Sequence, residues 1–422
     1  MRLPTVAWFP TLVIMNSRGA IFLTMLFALS VPAVAEEAMR EWTSADGKKI
    51  AGAIFQLEGD KITLDTDRGR FELPLSRLSE ADRAFAKNWA AEKEKPGESE
   101  PGMAPSLGNF EDLKLGVWPQ YVVSELAVEQ IEEVEKTSES EDPYVYRTPH
   151  FEFRSPDRLS TSVVREFARI FEATFNFVDQ MPIGLAPKPN ASGHYITKLY
   201  MSKDEYYSDG GMEGSGGMFS WSRRGDEMDG VIKVPLTNLG VEYTGTRFIV
   251  DHKKRSTTLT HEIAHQVMMR WLATPMPTWL SEGIAEVVSS QDYDNGRFKL
   301  SSMNAAIVDE VTRGQGRDFQ MVRLEKLMNI THAEWAGELA AGEGGKNYNS
   351  ANVIAYYFLR LDGEGDGKHL VEFIKTLIGG RRGDLENLTA AHAEHLLRGR
   401  TYEALEKEVA DAWRGQGLKI EF

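Results

Sequence analysis

The feature that most constrains this chain is the apolar stretch 258–289, which carries two compact sets of polar side chains. The first set is His261, Glu262 and His265. Residues four apart share one face of a helix, so both imidazoles point the same way, and neutral imidazoles at this spacing can bind one zinc ion. Glu262 lies beside the first histidine, where it can reach a metal-bound water and act as general base. The pattern therefore predicts a helix with a metal site on one face.

A catalytic zinc ion needs a third protein ligand and one open coordination position. The pattern HExxHxxGxxH is excluded as its source, because Met268 and Trp271 stand where its glycine and last histidine would be. Pro275 and Pro277 end that helix, and either Thr278 or Ser281 can begin a second one, which carries WLSEGIAE, residues 279–286. We predict Glu282 as the third ligand. Glu286, one turn further along the same face, is predicted to hold the ring of one histidine through its other nitrogen.

These residues resemble a known family. The motif HExxH followed by P-x-W-L-x-E-G-x-A-E is similar to the gluzincin metallopeptidases, in particular to the bacterial peptidase MA-like proteins with the WLxEGxAE signature. The resemblance implies a zincin-type fold, one zinc ion and a peptide or protein substrate. It also implies that a tyrosine or histidine of the C-terminal half stabilises the tetrahedral oxyanion. Tyr348, which opens the sequence Tyr-Asn-Ser-Ala, matches that position.

Two other interpretations stay open. The polar residues can belong to a buried helix pair that binds no metal. Alternatively, the chain is a catalytically inactive, peptidase-like scaffold or binding protein that presents an N-terminal module to a partner. The complete set of His261, His265, Glu282 and Glu262 argues against the scaffold, because an inactive relative is free to lose any of the four.

Composition removes several other classes of site. The chain has no cysteine, which excludes disulfides, thiolate zinc sites and a cysteine nucleophile. Its net charge of −15 argues against nucleic acid as a partner. A length of 422 residues predicts two or three domains, and a hydrophobic content of 42% is enough for sizeable cores.

Residues 1–35 have the pattern of a signal peptide. An apolar run from Ala20 to Ser30 precedes Ala33-Val34-Ala35, which fits a small-x-small cleavage site before Glu36. The run is too short to span a bilayer comfortably, although a retained N-terminal anchor stays open as an alternative. Cleavage would leave no stable membrane span. We therefore expect an exported protein, periplasmic or extracellular in a bacterium.

The sequence pattern of residues 36–90 predicts a small β-rich unit. Short predicted strands are joined by tight turns such as Asp46-Gly47, and a short helix is predicted to follow. The opening W-T-x-x-D-G-K and the close P-L-x-x-L-S-x-x-D resemble the SLA-one homology domain, an SH3-like β-barrel. The resemblance implies a protein or peptide partner for this unit. Trp42 is interpreted as a core residue in preference to a peptide-stacking one.

Residues 91–142 are predicted to form an acidic linker. The part 91–108 is rich in Glu, Lys, Pro, Gly and Ser, and the part 132–142 is strongly acidic. Such composition is typical of a solvated tether, since it offers few apolar groups to bury. Only residues 110–131 contain enough apolar side chains to pack against a neighbour.

The catalytic domain is predicted to occupy residues 143–422, with a strand-rich first half and a helical second half. Strand-like alternation includes Gly230–Pro235, our candidate for the sheet edge that binds extended substrate in gluzincins. In the second half, Tyr348 is expected just before a helix, and His392 and His395 are expected on the surface. Helical spacing occurs at residues 160–177, 303–312, 349–361, 367–377, 385–397 and 402–413.

The predicted fold class is therefore α+β, a small SH3-like β-barrel followed by a zincin-type domain. The predicted function is that of an exported zinc-dependent metallopeptidase. In it a zinc-activated water hydrolyses peptide bonds, with Glu262 as the base and Tyr348 at the oxyanion.

Overall fold

The structure is a computed structural model. It describes residues 40–44, 48–58, 61–66, 69–79, 82–86, 110–134, 144–189, 192–211, 215–224, 227–255, 258–272, 276–313, 316–342, 344–378 and 385–422. The signal peptide predicted for residues 1–35 lies outside the described residues, as does the acidic segment 135–142. Helices and strands are both abundant in the described part, so the protein is mixed α+β, as predicted. No helix of this part is long and apolar enough to cross a membrane.

The N-terminal part forms a four-stranded antiparallel sheet whose strands follow one another in sequence. The strands are β1 (Arg40–Thr43), β2 (Lys49–Glu58), β3 (Lys61–Thr66) and β4 (Gly69–Pro74). Trp42 is 1% exposed in a small separate core, so it is a core residue, as interpreted from the sequence. Within the described residues the sheet does not close into a barrel. Strands β1 and β4 are its edges, and an isolated bridge joins Ser44 to Leu78 just beyond them.

Residues 110–134, which fall within the predicted linker, are folded, in keeping with the apolar content of residues 110–131. This segment forms β5 (Tyr121–Val123), which pairs with a later hairpin, and β6 (Glu132–Val134), which joins the main sheet. Val122, Leu126 and Ile131 are buried in the same core as the C-terminal helices. The larger folded unit therefore includes this segment, because its apolar residues pack there.

A six-stranded sheet forms the first half of the larger unit, in the order β10-β11-β9-β8-β7-β6. Strand β9 pairs in parallel with β8 and β11, and the other neighbours are antiparallel. The remaining strands are β7 (Tyr144–Arg147), β8 (Phe151–Ser155), β9 (Tyr195–Tyr200), β10 (Met218–Arg224) and β11 (Glu227–Pro235).

The prediction of Gly230–Pro235 as the sheet edge is wrong. These residues belong to β11, which lies between β10 and β9, and the edge next to it is β10. The alternating pattern correctly predicts a strand here. Its place in the sheet depends on β10, which pairs with it in an antiparallel hairpin and which the sequence pattern does not predict.

Helix α1 (Thr161–Gln180) covers one face of this sheet. Ser160 caps it by accepting a hydrogen bond from the backbone N–H of Val163. Its apolar side packs edge-on against strand β8, with the rings of Phe167 and Phe171 centred 5.2 and 5.0 Å from that of Phe153. A short helix, α2 (Lys203–Ser208), follows β9.

The second half is mostly helical, as predicted. Its helices are α3 (Leu259–Val267), α4 (Met269–Leu272), α5 (Thr278–Ser289), α6 (Met303–Thr312), α7 (Leu324–Asn329), α8 (His332–Ala340), α9 (Gly344–Arg360), α10 (Lys368–Ile378), α11 (Leu385–Ala391), a π-helical turn at His392–Leu397, and α12 (Tyr402–Gly415). Short strands complete it: β12 (Val241–Tyr243) with β13 (Phe248–Val250), β14 (Tyr293–Asp294) with β15 (Arg297–Lys299), and β16 (Asp318–Gln320) with β17 (Lys419–Glu421).

Two details of the helical half differ from the sequence prediction. Tyr348 lies inside α9, because the helix begins at Gly344. His392 is fully buried, and its ring stacks on that of Phe373 at 5.1 Å, so it is not a surface residue. His395 is also largely covered and lies 2.9 Å from the hydroxyl of Thr376.

Candidate metal centre

Helix α3 carries His261, Glu262 and His265, and all nine of its residues are buried. A helix that is covered on every side has no solvent-exposed face to hold its polar groups, so those groups must be satisfied inside the protein. The two imidazoles lie on one face, as their spacing requires, with ring centroids 4.6 Å apart.

Helix α5 brings Glu282 to this face. The Nε2 atoms of His261 and His265 are 2.9 Å apart, and Oε2 of Glu282 lies 3.3 and 3.2 Å from them. The next residue, Gly283, allows α5 to approach α9 closely, since a Cβ there would lie 2.5 Å from the carbonyl oxygen of Ala351. The glycine in WLSEGIAE is therefore a packing requirement beside the third predicted ligand.

The charges of this group are strongly coupled. Burial disfavours the ionised carboxylate of Glu282, but the neighbouring His265 and His261 outweigh it and lower its pKa to about 2. Burial also opposes protonation of His261, yet the carboxylates of Glu286 and Glu282 raise its pKa well above the usual value. Burial lowers the pKa of His265. The carboxylate therefore stays ionised beside two imidazoles, one of which favours its neutral form.

Glu286 lies where the sequence predicts. One of its carboxylate oxygens is 2.9 Å from Nδ1 of His261, on the opposite side of the ring from Glu282. By distance this contact is an ion pair, and Nδ1 makes no hydrogen bond of regular geometry with a described residue; a carboxylate at this position restrains the ring and leaves Nε2 directed at the shared point between the ligands.

Glu262 is fully buried and is held by the sheet. Its Oε2 accepts a hydrogen bond of 2.9 Å from the backbone N–H of Phe219 in edge strand β10, while its Oε1 has no partner among the described residues. Burial raises the pKa of Glu262 to about 8. A cation bound by the adjacent group would lower it, since an opposite charge favours the ionised form.

Tyr348 closes the group from the side of α9. Its ring centroid is 5.8 Å from that of His261, and the indole of Trp335 packs against it edge-on at 5.2 Å. The hydroxyl is buried and donates no hydrogen bond within the described part of the chain, and the indole N–H of Trp335 opposes the rise in its pKa. Burial and the nearby charge of Glu282 raise its pKa, so it remains a protonated donor.

The donor set fits a small metal ion. His261, His265 and Glu282 each offer one ligand atom, and these atoms lie within 4.8 Å of one another. A tetrahedral ion with bonds of about 2.0–2.2 Å separates its ligand atoms by roughly 3.3–3.6 Å. The observed separations of 2.9 to 3.3 Å are close to that spacing. Two imidazoles, one carboxylate and no thiolate suit zinc among other divalent metals.

Comparison of the chain with family models, with curated proteins and with solved structures found no match. Any assignment of this centre therefore depends on its own residues and geometry. The resemblances to known families likewise depend only on the sequence motifs quoted above.

The structure brings together all six residues predicted from the sequence, and it adds two contacts that the sequence prediction does not include. The backbone amide of Phe219 holds Glu262, and Trp335 packs on Tyr348. The first contact could not be predicted from the sequence, because almost every residue type carries a backbone N–H. The second had one, because Thr331 and Glu334 form a capping box that marks the start of α8, the helix that carries Trp335.

Proposed function

We propose that the protein is a zinc-dependent metallopeptidase of the gluzincin type. The observation that carries the proposal is the convergence of His261, His265 and Glu282 on one point beside Glu262, in a buried site. A purely structural polar cluster does not need a second carboxylate that is unpartnered at one oxygen and adjacent to three potential ligands.

Zinc, when bound, would supply a water of lowered pKa, about 7, and a Lewis acid for the substrate carbonyl. Glu262, whose Oε1 has no partner among the described residues, would serve as the general base at that atom and as the proton donor to the leaving amine. The N–H of Phe219 holds the other carboxylate oxygen and so fixes the direction in which Glu262 points. Glu286 keeps the ring of His261 in place through Nδ1.

Tyr348 donates its free hydroxyl to the oxyanion that develops on the substrate carbonyl. Its raised pKa keeps the proton available, and the packing of Trp335 restricts the ring. A single donor of this kind contributes about 3–4 kcal/mol to transition-state stabilisation in other hydrolases.

Edge strand β10 is the proposed substrate platform. It pairs on one side with β11, and its residue Phe219 already contacts Glu262. An extended peptide that paired with the other side of β10 by strand addition would lie alongside His261, His265 and Glu282. The predicted ligands expose at most 5% of their side chains, so the surrounding elements must open before a peptide reaches them.

The N-terminal sheet is proposed to be an SH3-like module of the SLA-one homology type that binds a protein or peptide partner. Its four-stranded meander, its own small core and the Ser44–Leu78 bridge support this. Export through the segment 1–35 belongs to the same proposal.

The test is proteolysis of an unfolded protein substrate by the mature chain, by Glu262→Gln and by the matched control Glu364→Gln, with zinc content measured in each. Glu364 is an exposed carboxylate in the turn after α9. We expect one zinc per chain in all three, and cleavage only in the unmodified protein and the control. Zinc without cleavage in any of them would favour the inactive scaffold. Equal cleavage by Glu262→Gln would contradict the role of Glu262.

A further inference from the structure

A second site lies away from the metal ligands. A cavity of about 360 Å³ is lined by residues of α1, of the segment before α3 and of the β14–β15 turn, and by none of the predicted ligands. This volume is within the range of small-molecule sites, about 300–1,000 Å³. Arg255 lies four residues before α3 begins, and Tyr293 lies four residues after α5 ends. The cavity is therefore built from the segments that enter and leave the two ligand-bearing helices.

The cationic groups of this cavity lack carboxylate partners. The guanidinium of Arg255 lies over the ring of Tyr293, 4.6 Å from its centroid, and neither it nor Arg169 forms an ion pair with a described residue. Arg169 is held by the side-chain and backbone oxygens of Asn295, and its Nε is buried without a hydrogen-bond partner among the described residues. Lys253 is exposed in the same lining.

The acidic groups do not balance these charges. The lining holds two carboxylates, Glu166 and Asp294, against three permanent cations. Glu166 is already paired at 2.7 Å with Arg165, which is outside the lining, and lies 3.3 Å from Nε2 of His252. Asp294 is exposed. The protein carries a net charge of −15, so a cavity with excess positive charge departs from the rest of the chain.

The partial burial of Arg255 disfavours its charged form, because no carboxylate among the described residues pairs with it. Arg255 is half-buried, and burial lowers its pKa, while the charge and hydrogen bond of the Tyr293 hydroxyl oppose that effect. A buried cation is normally paired, because desolvation without a partner is unfavourable. A bound anion would satisfy this group.

We propose that the cavity binds a small oxyanion, the carboxylate or phosphate group of a ligand, between Arg255 and Arg169, with Lys253 at its rim. Guanidinium groups suit this ligand because their N–H donors match the oxygens of carboxylates and phosphates. The bound oxyanion would connect the segment before α3 to the turn after α5. This proposal does not depend on the peptidase function.

The test is calorimetric titration of the full chain with inorganic phosphate and, separately, with succinate, at a chloride-balanced ionic strength. We expect saturable binding of at least one of them. Tighter binding of phosphate would identify a phosphate ligand, and tighter binding of succinate a carboxylate ligand. Glu282→Gln should bind equally well, which separates the cavity from any anion held at the metal centre.

The variants decide whether the cavity is responsible. Arg255→Gln should weaken binding at least tenfold, and Lys253→Gln, at an exposed position where folding is not at risk, at least threefold. The matched control Arg297→Gln should leave the affinity unchanged, since Arg297 is exposed on the neighbouring strand and stacks on Tyr121 outside the cavity. No saturable binding, or binding that neither Arg255→Gln nor Lys253→Gln weakens, would overturn the proposal.

Discussion

At the scale of single residues, removing the buried hydroxyl of Tyr348 distinguishes a functional role of that group from a structural one. It donates no hydrogen bond within the described part of the chain, so folding gains little from its proton. Tyr348→Phe should therefore keep its melting temperature and its zinc, yet lose about 10²- to 10³-fold in kcat with little change in KM. Tyr356→Phe, a buried tyrosine of the same helix, is the control and should keep full activity. A Tyr348→Phe enzyme with unchanged kcat would remove Tyr348 from the mechanism.

A second residue-scale prediction concerns acid stability. His392 is fully buried against Phe373, neither ring nitrogen has a partner among the described residues, and burial lowers its pKa from 6.5 to about 4. The unfolded chain therefore binds a proton below pH 6.5 that the folded chain does not, and stability falls as the pH drops from 6.5 towards 4.

His392→Phe should remove this dependence. Relative to the unmodified protein, its free energy of unfolding should rise by about 3 kcal/mol between pH 7 and pH 4, at roughly 1.4 kcal/mol per pH unit. Above pH 7 the difference should be constant. Urea unfolding at several pH values measures it, and parallel profiles for the two proteins would refute the assignment.

Residue identity and local spacing were enough to predict most of the centre. His261, Glu262 and His265 follow from one helical turn, and Glu282 and Glu286 from the next helix, because these relations are local in sequence. The amide of Phe219 that holds Glu262 comes from a strand 43 residues earlier. Its position depends on tertiary packing, which a single motif does not encode.

At the scale of elements, α5 packs against α9 and brings Glu282 close enough to Tyr348 for its charge to raise the pKa of the hydroxyl. Gly283 makes that contact possible, since a Cβ would meet Ala351 and Ala355 at 2.5 and 2.7 Å. Gly283→Ala should lower the free energy of unfolding by about 1–3 kcal/mol through overpacking and should also weaken zinc binding. Gly337→Ala on α8, where a Cβ meets nothing within 4 Å, should be neutral or slightly stabilising. Equal melting temperatures for both variants would contradict the close packing.

The sequence predicts which segments form helices or strands better than it predicts which strands lie next to each other. Alternation correctly predicts a strand at Gly230–Pro235, but the family resemblance placed that strand at the sheet edge, where β10 lies instead. Strand periodicity reports which face is buried, whereas strand order depends on pairing between distant segments.

At the scale of the whole molecule, the described residues from 110 to 422 share one large core, with a small cluster of Tyr200, Tyr206 and Met218 beside it, and the N-terminal sheet has a separate core. A fragment of residues 110–422 should therefore unfold cooperatively and retain zinc. A fragment of residues 143–422, cut at the boundary predicted from composition, loses the buried side chains of Val122, Leu126 and Ile131. Each such side chain contributes about 1.5–3 kcal/mol, so the shorter fragment should be several kcal/mol less stable. Thermal unfolding compares them, and equal stability would restore the linker prediction for residues 110–134.

The central claim is that His261, His265 and Glu282 bind one zinc ion, and anomalous X-ray diffraction from crystals of the zinc-loaded protein tests it most directly. We predict one strong anomalous peak at the zinc absorption edge, about 2.0–2.2 Å from Nε2 of both histidines and from a carboxylate oxygen of Glu282. A peak at other residues, or none at these three, would contradict the account.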